Sequence, residues 1–270
     1  MAKAIAGRKD GDWNPEFYAR YRGLRLRPAL DLLARVGDLP KGKVVDLGCG
    51  AGAAGPALAA RFADRKIVGV DNSPAMLSEA AATGAYKRCD LADAAQWAPK
   101  KPAALIFSNA LLHWLPDHDA LFPRLAGFLA PGGVLAVQMP RQYGAPSHRF
   151  LREFAQEMFP DRFDFTGWTA PVAEPAHYAR LLAPLGTVDV WQTDYIQRLD
   201  PLPDAHPVRR FTEATAMRPY IEKLSEAELA AFTLRYEAAL EAAYPAEPDG
   251  SVLFPFRRVF MVLELGADTE

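Results

Sequence analysis

Cysteine is nearly absent. The 270 residues hold two, Cys49 and Cys89. Two thiols without metal-ligand spacing exclude a disulfide scaffold and supply no zinc motif. A basic excess is also missing. Lys and Arg total 31 against 33 Asp and Glu, a formal net charge of −2, so the chain lacks the electrostatic footprint of a nucleic-acid binder. No apolar run approaches the roughly 18 residues of a membrane-spanning helix. The opening MAKAIAGRKD is basic but carries no apolar stretch of signal-peptide length. Repeats and low-complexity linkers are lacking too. What remains is ordinary globular composition, 50% hydrophobic and 24% charged, which rules out a disordered or fibrous chain. The expectation is a soluble cytoplasmic monomer without nucleic-acid or membrane partners, built as one large domain with room for a buried site.

The hydrophobic pattern alternates between two periods. Pro28 fits the first turn of a helix, and ALDLLARV continues it at helical spacing. Short apolar runs at 44–47, 66–70, 104–108 and 134–139 read as buried strands, with a shorter third strand at 85–89. Between them lie helical stretches at 56–62, from Ser73-Pro74 onward, and at 117–130, with Pro131-Gly132-Gly133 as a turn. Strand and helix in alternation predict a parallel sheet covered on both faces. Beyond Pro140 the order loosens. Helices are expected at 146–159 and 174–184, a strand at 187–191, two helical patterns within 208–243, and a closing strand at 259–265. Segments 141–180 and 205–250 read as helical insertions forming a lid, and 13–37 as an N-terminal cover.

Asp46-Leu47-Gly48-Cys49-Gly50-Ala51-Gly52 stands where the first strand turns into the first helix. In a doubly wound sheet, ligands bind at such turns. Asp71 ends the second strand, where a carboxylate can accept from both hydroxyls of a ribose. Gly50-Ala51-Gly52-Ala53-Ala54-Gly55 also matches the dinucleotide pattern G-x-G-x-x-G, with Asp71 at the matching distance. Asp46 argues against that reading, because its charge would repel a pyrophosphate. The same carboxylate suits a ligand with an ammonium group, and Asp90 after the third strand could read an adenine amino group. Asp46, Asp71 and Asp90 together suit a cationic adenosine ligand. A plain tight turn capped by Asp46 would leave the three strand-end acids unexplained.

D-L-G-C-G-x-G followed by V-D-x-S at the next strand end resembles the class I S-adenosylmethionine-dependent methyltransferases. Further segments resemble the trans-aconitate 2-methyltransferase family: Asp12-Trp13-Asn14-Pro15, Arg27-Pro28-Ala29, Trp114-Leu115-Pro116-Asp117-His118, Gly133 to Pro140, Val190-Trp191-x-Thr193-x-Tyr195, Thr215-x-x-Arg218-Pro219-Tyr220, and the Phe- and Arg-rich stretch 254–260. The resemblance implies a seven-stranded, mostly parallel, Rossmann-like α/β sheet with a helical lid. It implies S-adenosyl-L-methionine as cofactor, with Asp46, Gly48, Cys49, Gly50 and Gly52 at its methionine part. Asp71 would hold the ribose and Asp90 and Leu91 the adenine, with Asn72, Met76 and Asn109 completing the set. It implies a monomethyl ester of a small polycarboxylic acid as product, trans-aconitate foremost.

A carboxylic acid is ionised above pH ~4 and needs no general base. The site must instead hold a polyanion, which calls for arginine forks and hydroxyl donors. Candidates are Arg25, Arg27, Arg218, Arg257 and Arg258, with Tyr18, Tyr21, Tyr143, Tyr195 and Tyr220. Arg218, Tyr195, Tyr220, Arg27, Arg258 and His113 carry the positioning assignment, and Arg218 leads it. No residue is assigned as acid or base, and no metal is expected, since His118, His148, His177 and His206 share no ligand spacing. Two alternatives stay open: an NAD(P)-dependent oxidoreductase, and a relative that binds S-adenosylmethionine without catalysis.

Overall fold

The structure is a computed structural model that describes residues 22–213 and 215–267, with side chains from residue 26. Asp12 to Pro15, Tyr18, Tyr21, the side chain of Arg25 and the first part of the 13–37 cover lie outside the described residues. The elements run α1 (Arg22–Ala34), β1 (Lys43–Leu47), α2 (Gly55–Arg61), β2 (Ile67–Asp71), α3 (Pro74–Ala82), β3 (Arg88–Leu91) and β4 (Ala103–Asn109). A 3-10 turn (Leu112–Trp114) follows, then α4 (His118–Ala126), β5 (Leu129–Pro140), α5 (Pro146–Met158), α6 (Pro175–Leu182) and β6 (Gly186–Leu199). The chain closes with α7 (Pro207–Glu213), α8 (Arg218–Ile221), α9 (Glu226–Ala243) and β7 (Val252–Leu265). The strands form one mixed seven-stranded sheet in the order β3-β2-β1-β4-β5-β7-β6, the α/β class that the sequence predicts. Among the described residues no helix is long and apolar enough to cross a membrane.

Contacts gather in two compact units. The first takes the described residues through Asn109, Leu121–Ala136, and those from Glu264 onward; the second takes Ala110–Ala120 and Val137–Leu263. Segments 141–180 and 205–250 fall wholly in the second.

In the first unit β1 pairs in parallel with β2 and β4, and β2 with β3. Val44, Val45, Leu47, Val68, Val70 and the run Ala103 to Phe107 are all buried. Such continuous apolar runs are what a sheet covered on both faces requires. The register sets Leu47 beside Val70 and Val70 beside Asp90, while Asp46 stands beside Phe107. The carboxyl ends of four strands therefore finish side by side. Ser73 opens α3 as expected, its Oγ accepting from Met76 N–H at 3.3 Å with Pro74 in the first turn.

One boundary differs. The sequence predicts helix to 130 and a turn at 131–133, but α4 ends at Ala126 and β5 begins at Leu129. Gly132, at φ +70°, donates to Gly266 O, and a Cβ on Gly133 would lie 2.6 Å from Ala130 O. The glycines here let an irregular strand begin early instead of reversing the chain.

In the second unit β6 and β7 are each 14 residues long, far beyond the expected 187–191 and 259–265. Both extensions obey the strand period of two. Val252, Phe254, Phe256 and Arg258 point inward, as do Tyr195, Gln197 and Leu199. Pro255 cannot donate to a ladder. The Gln142 side chain flanks it, donating to Pro255 O at 2.7 Å and accepting from Arg257 N–H at 2.7 Å. Residues 208–243, expected as two helical patterns, form three helices. Thr212 Oγ1 back-bonds to Val208 O and Arg209 O near the end of α7, a geometry that loosens a helix.

Helix α9 buries Phe232, Tyr236 and Leu240, with Leu229 half-buried at the start of that stripe. Tyr236 donates its hydroxyl to Ser147 O at 2.6 Å, tying α9 to α5. Its N-terminus carries a full capping box of Ser225 and Glu228. Ser225→Ala is expected to destabilise the protein by about 0.5–2 kcal/mol, read as a lower denaturation midpoint at unchanged urea m-value. A variant with wild-type midpoint would show that this cap does not hold the helix.

Candidate active site

The glycine loop after β1 is anchored from both sides. Gly48 and Cys49 donate their N–H groups to Val70 O at 2.7 and 3.0 Å. Gly50 N–H donates to Asp71 Oδ2 at 2.9 Å, and Ser73 N–H to Asp71 Oδ1 at 3.0 Å. The acid ending β2 is thus oriented by two backbone donors, with lone pairs left on both oxygens. Gly52 has φ +81°, and a Cβ there would meet the Ala80 backbone at 2.9 Å, so the loop lies against α3 more closely than any side chain allows.

Asp46 is buried, and its neighbour is one that the sequence reading missed. Tyr86 donates its hydroxyl to Asp46 Oδ2 at 2.7 Å. Burial pushes the Asp46 carboxyl up to about 7; the Tyr86 hydrogen bond lowers it in part, and the Asp71 charge raises it further. The Tyr86 ring fills space left by missing side chains. A Cβ on Gly55 would stand 2.6 Å from that ring, and one on Gly69 3.1 Å from it. Residues 85–87 precede β3, which starts at Arg88 and not at 85. No local pattern marks Tyr86, because the glycines that make room for it are 17 to 34 positions upstream. Cys49 packs with Leu77 and Ala80 beside Tyr86, and burial pushes its thiol up, so it is a packing residue and not a nucleophile.

The other residues of the predicted cofactor set sit at the same strand ends. Asp90 pairs with Arg88 Nε at 2.7 Å, Leu91 is exposed, Asn72 is exposed, and Met76 is buried in the first turn of α3. Asn109 ends β4, and its buried Oδ1 has no hydrogen-bond partner. Directly after it, Ala110 has φ +57°, a strained setting for a residue with a Cβ.

The residues predicted for acid binding differ in their surroundings. Arg27 lies exposed on α1, 4.0 Å from Asp31. Arg218, which leads the positioning assignment, is 43% exposed and faces Glu222 at 3.4 Å. Tyr220 is buried between aromatic rings, 5.3 Å from Phe163 and 5.6 Å from Phe232, and burial raises its hydroxyl to about 12. Tyr195 is buried beside Phe260. Arg257 forks onto Asp194 at 2.9 and 3.0 Å. Arg258 is buried, donates to Gln138 Oε1 at 3.1 Å, and lies over the Phe256 ring at 4.8 Å. His113 is drawn down to about 3 by burial first and the Arg258 charge second. Gln138 joins this group without having been singled out in the sequence. Among the described residues no three His, Cys, Asp or Glu side chains could hold a metal ion.

Known proteins share both the fold and the sequence. The phosphoethanolamine N-methyltransferase 2 of Haemonchus contortus, solved with S-adenosyl-L-methionine, superposes with a TM-score of 0.51 at 17% identity, covering 90% of this chain and 53% of that one. The YcgJ protein of Bacillus subtilis gives 0.51 at 14% identity, covering 93% and 100%. These likenesses concern the fold, which is that of the class I methyltransferases. A family described as methyltransferase domain matches residues 18–197. Curated trans-aconitate 2-methyltransferases of Methylobacterium radiotolerans and Azoarcus are each 43% identical over 93% of this chain, and that of Variovorax paradoxus is 41% identical over 94%. The matches span 97–98% of those proteins. The chain belongs to the trans-aconitate 2-methyltransferase family.

The buried titrating groups give opposite pH signatures. His113 at about 3 and His148 at about 4 are lowered by burial. The unfolded chain binds their protons first, so each contributes stability that rises with pH up to about 6.5. Asp46, raised to about 7, acts the other way: stability falls as pH climbs from about 4 to 7. Between pH 4.5 and 6, His113→Gln and His148→Gln should each flatten the rise of unfolding free energy by about 1.4 kcal/mol per pH unit. Asp46→Asn should steepen it by a similar amount. Unchanged slopes would mean these groups are ionised in the folded protein.

Proposed function

We propose that the protein is an S-adenosylmethionine-dependent carboxylate O-methyltransferase forming a monomethyl ester of a small polycarboxylic acid, trans-aconitate foremost. The observation that carries this reading is the identity above 40% along nearly the whole chain with curated trans-aconitate 2-methyltransferases. The proposal includes action as a monomer in the cytoplasm on a small acid, without nucleic-acid or membrane partners.

The residues at the strand ends fit the cofactor. Asp46 is a buried acid at the edge of its charged state, and a ligand cation would draw it into the ionised form. Asn109 presents a buried acceptor without a donor. The proposed roles are Asp46 with Gly48, Cys49, Gly50 and Gly52 at the methionine part, Asp71 with Asn72 at the ribose, and Asp90, Leu91 and Met76 at the adenine. When bound, S-adenosylmethionine supplies an electrophilic methyl group on a sulfonium. The protein's part is to bind and orient an acid already ionised at neutral pH. His113, held near 3, is too weak a base to take a proton from a hydroxyl or amine acceptor. Arg258, His113, Tyr195, Tyr220, Arg218 and Arg27 are the proposed contacts to the acid. Arg258 and His113 gain weight from their burial, and Arg218 and Arg27 lose it through exposure.

The dinucleotide reading fares worse. A carboxylate beside the loop disfavours a pyrophosphate, and the reported relatives along the full chain are methyltransferases. Transfer of radiolabelled methyl groups over a panel of di- and tricarboxylic acids tests the proposal, and absence of transfer to every acid would favour a binding-only relative. Asp71→Ala should weaken S-adenosylhomocysteine binding by about 1.5–3 kcal/mol; unchanged affinity in calorimetry would remove Asp71 from the ribose site. At saturating cofactor the wild-type rate should be flat above about pH 6. A rise through a pKa near neutrality would point to a protonated acceptor instead of a carboxylate.

A further inference from the structure

Gln138 on β5 is fully buried. Its Oε1 accepts from Arg258 Nη1 at 3.1 Å. Arginine can only donate, so the amide oxygen must face the guanidinium and the group cannot be turned round. Both N–H bonds of Nε2 are thereby aimed elsewhere, and no described atom accepts from them. His113 Nδ1 is buried without a partner as well. The segment that leads into the 3-10 turn carrying His113 is tied to β5 at Gln138 itself, since Ala110 N–H, at a strained residue, donates to Gln138 O at 2.9 Å, and the Arg258 charge acts on His113 as well. Burying such polar atoms unsatisfied costs about 1–3 kcal/mol apiece, and His113 Nδ1 is a donor in the tautomer that carries the ring proton there. They stand beside a buried guanidinium, so the acceptor that completes them is an anion with planar oxygens, a carboxylate.

We propose that Gln138 and His113, beside Arg258, receive a carboxylate of the acid that is not methylated, and so set the preference for a polycarboxylate over a simpler acid. The spectator group is meant because a carboxylate whose lone pairs are engaged by amide and guanidinium donors is a poor nucleophile. The inference rests on the carboxylate-methylating reading above.

The test compares propene-1,2,3-tricarboxylate with the dicarboxylic acids that lack one of its spectator carboxylates. Gln138→Met keeps the shape and removes both the Nε2 donor and the oxygen that accepts from Arg258. It should raise KM for the tricarboxylate about 10- to 100-fold, with kcat within about threefold and S-adenosylhomocysteine affinity unchanged. For one dicarboxylate, already weak with wild type, the substitution should leave KM unaltered. Gln138→Glu, which cannot donate and is negative, should raise KM for the tricarboxylate further. If Gln138→Met does not fold, as judged by melting and cofactor-product binding, the same comparison is made with His113→Leu. An equal loss on every acid, or no loss on any, overturns the spectator role while leaving the proposed activity standing. A wild-type protein that methylates no polycarboxylic acid overturns the activity and this inference with it.

Discussion

The hydrogen bond from Tyr86 to Asp46 is the constraint around which the first unit is arranged. A carboxyl group buried among apolar strands would stay protonated without help. One phenolic donor at 2.7 Å brings it back to about 7. To deliver that donor, the ring must lie against the glycine loop and the second strand. Gly52, Gly55 and Gly69 lack the side chains that would block it. Gly52 therefore serves two ends: it lets the loop turn with positive φ and, together with Gly55 and Gly69, it vacates the space that Tyr86 fills. Asp71 completes the arrangement by tying Gly50 to the start of α3.

An acid poised near 7 is also a sensitive one. It has lost the solvation that would fix it as an anion, yet a single positive charge nearby suffices to ionise it. A fully solvated carboxylate would feel the same cation only weakly, because water screens the pair. In its proposed role at the cofactor, burial would thus make Asp46 selective for a ligand that brings its own positive charge. A pyrophosphate would meet either a repelling anion or a wasted proton. That contrast separates this loop from the dinucleotide pattern its glycines happen to match.

The fold was legible in the sequence where one period rules. Buried parallel strands announce themselves as apolar runs ending at glycine or aspartate, and the strand-end acids Asp46, Asp71 and Asp90 fall where that reading sets them. It failed where proline and glycine sit inside strands. Pro255 disguises the first half of β7, and Pro131-Gly132-Gly133 hides the start of β5. The cost fell on the residues proposed to hold the acid. With β7 read only from 259, Arg257 and Arg258 could not be told apart. Alternation along the longer strand turns Arg257 outward to Asp194 and Arg258 inward to Gln138. Arg218 drew attention through its neighbours Pro219 and Tyr220, but in a helix of four residues it is Tyr220 that faces the core. Tyr86 and Gln138 depend on partners 40 and 120 positions away, which no local pattern can report.

The two units carry opposite chemistry. The first offers acids at its strand ends, suited to a cation. The second buries a guanidinium with amide and imidazole nitrogens, suited to an anion. A reaction between a sulfonium and a carboxylate cancels charge, so its transition state is less charged than the separated reactants. A poorly solvated setting favours such a step, because water stabilises the ions more than the transition state. Under the proposed reaction, the burial that keeps His113 neutral would be an asset and not a defect. A protonated His113 would add charge to a step that removes it. Lowering that imidazole to about 3 leaves Arg258 as the buried cation of its cluster; in the role proposed for them, the residues around it would bind the acid and not transfer its proton.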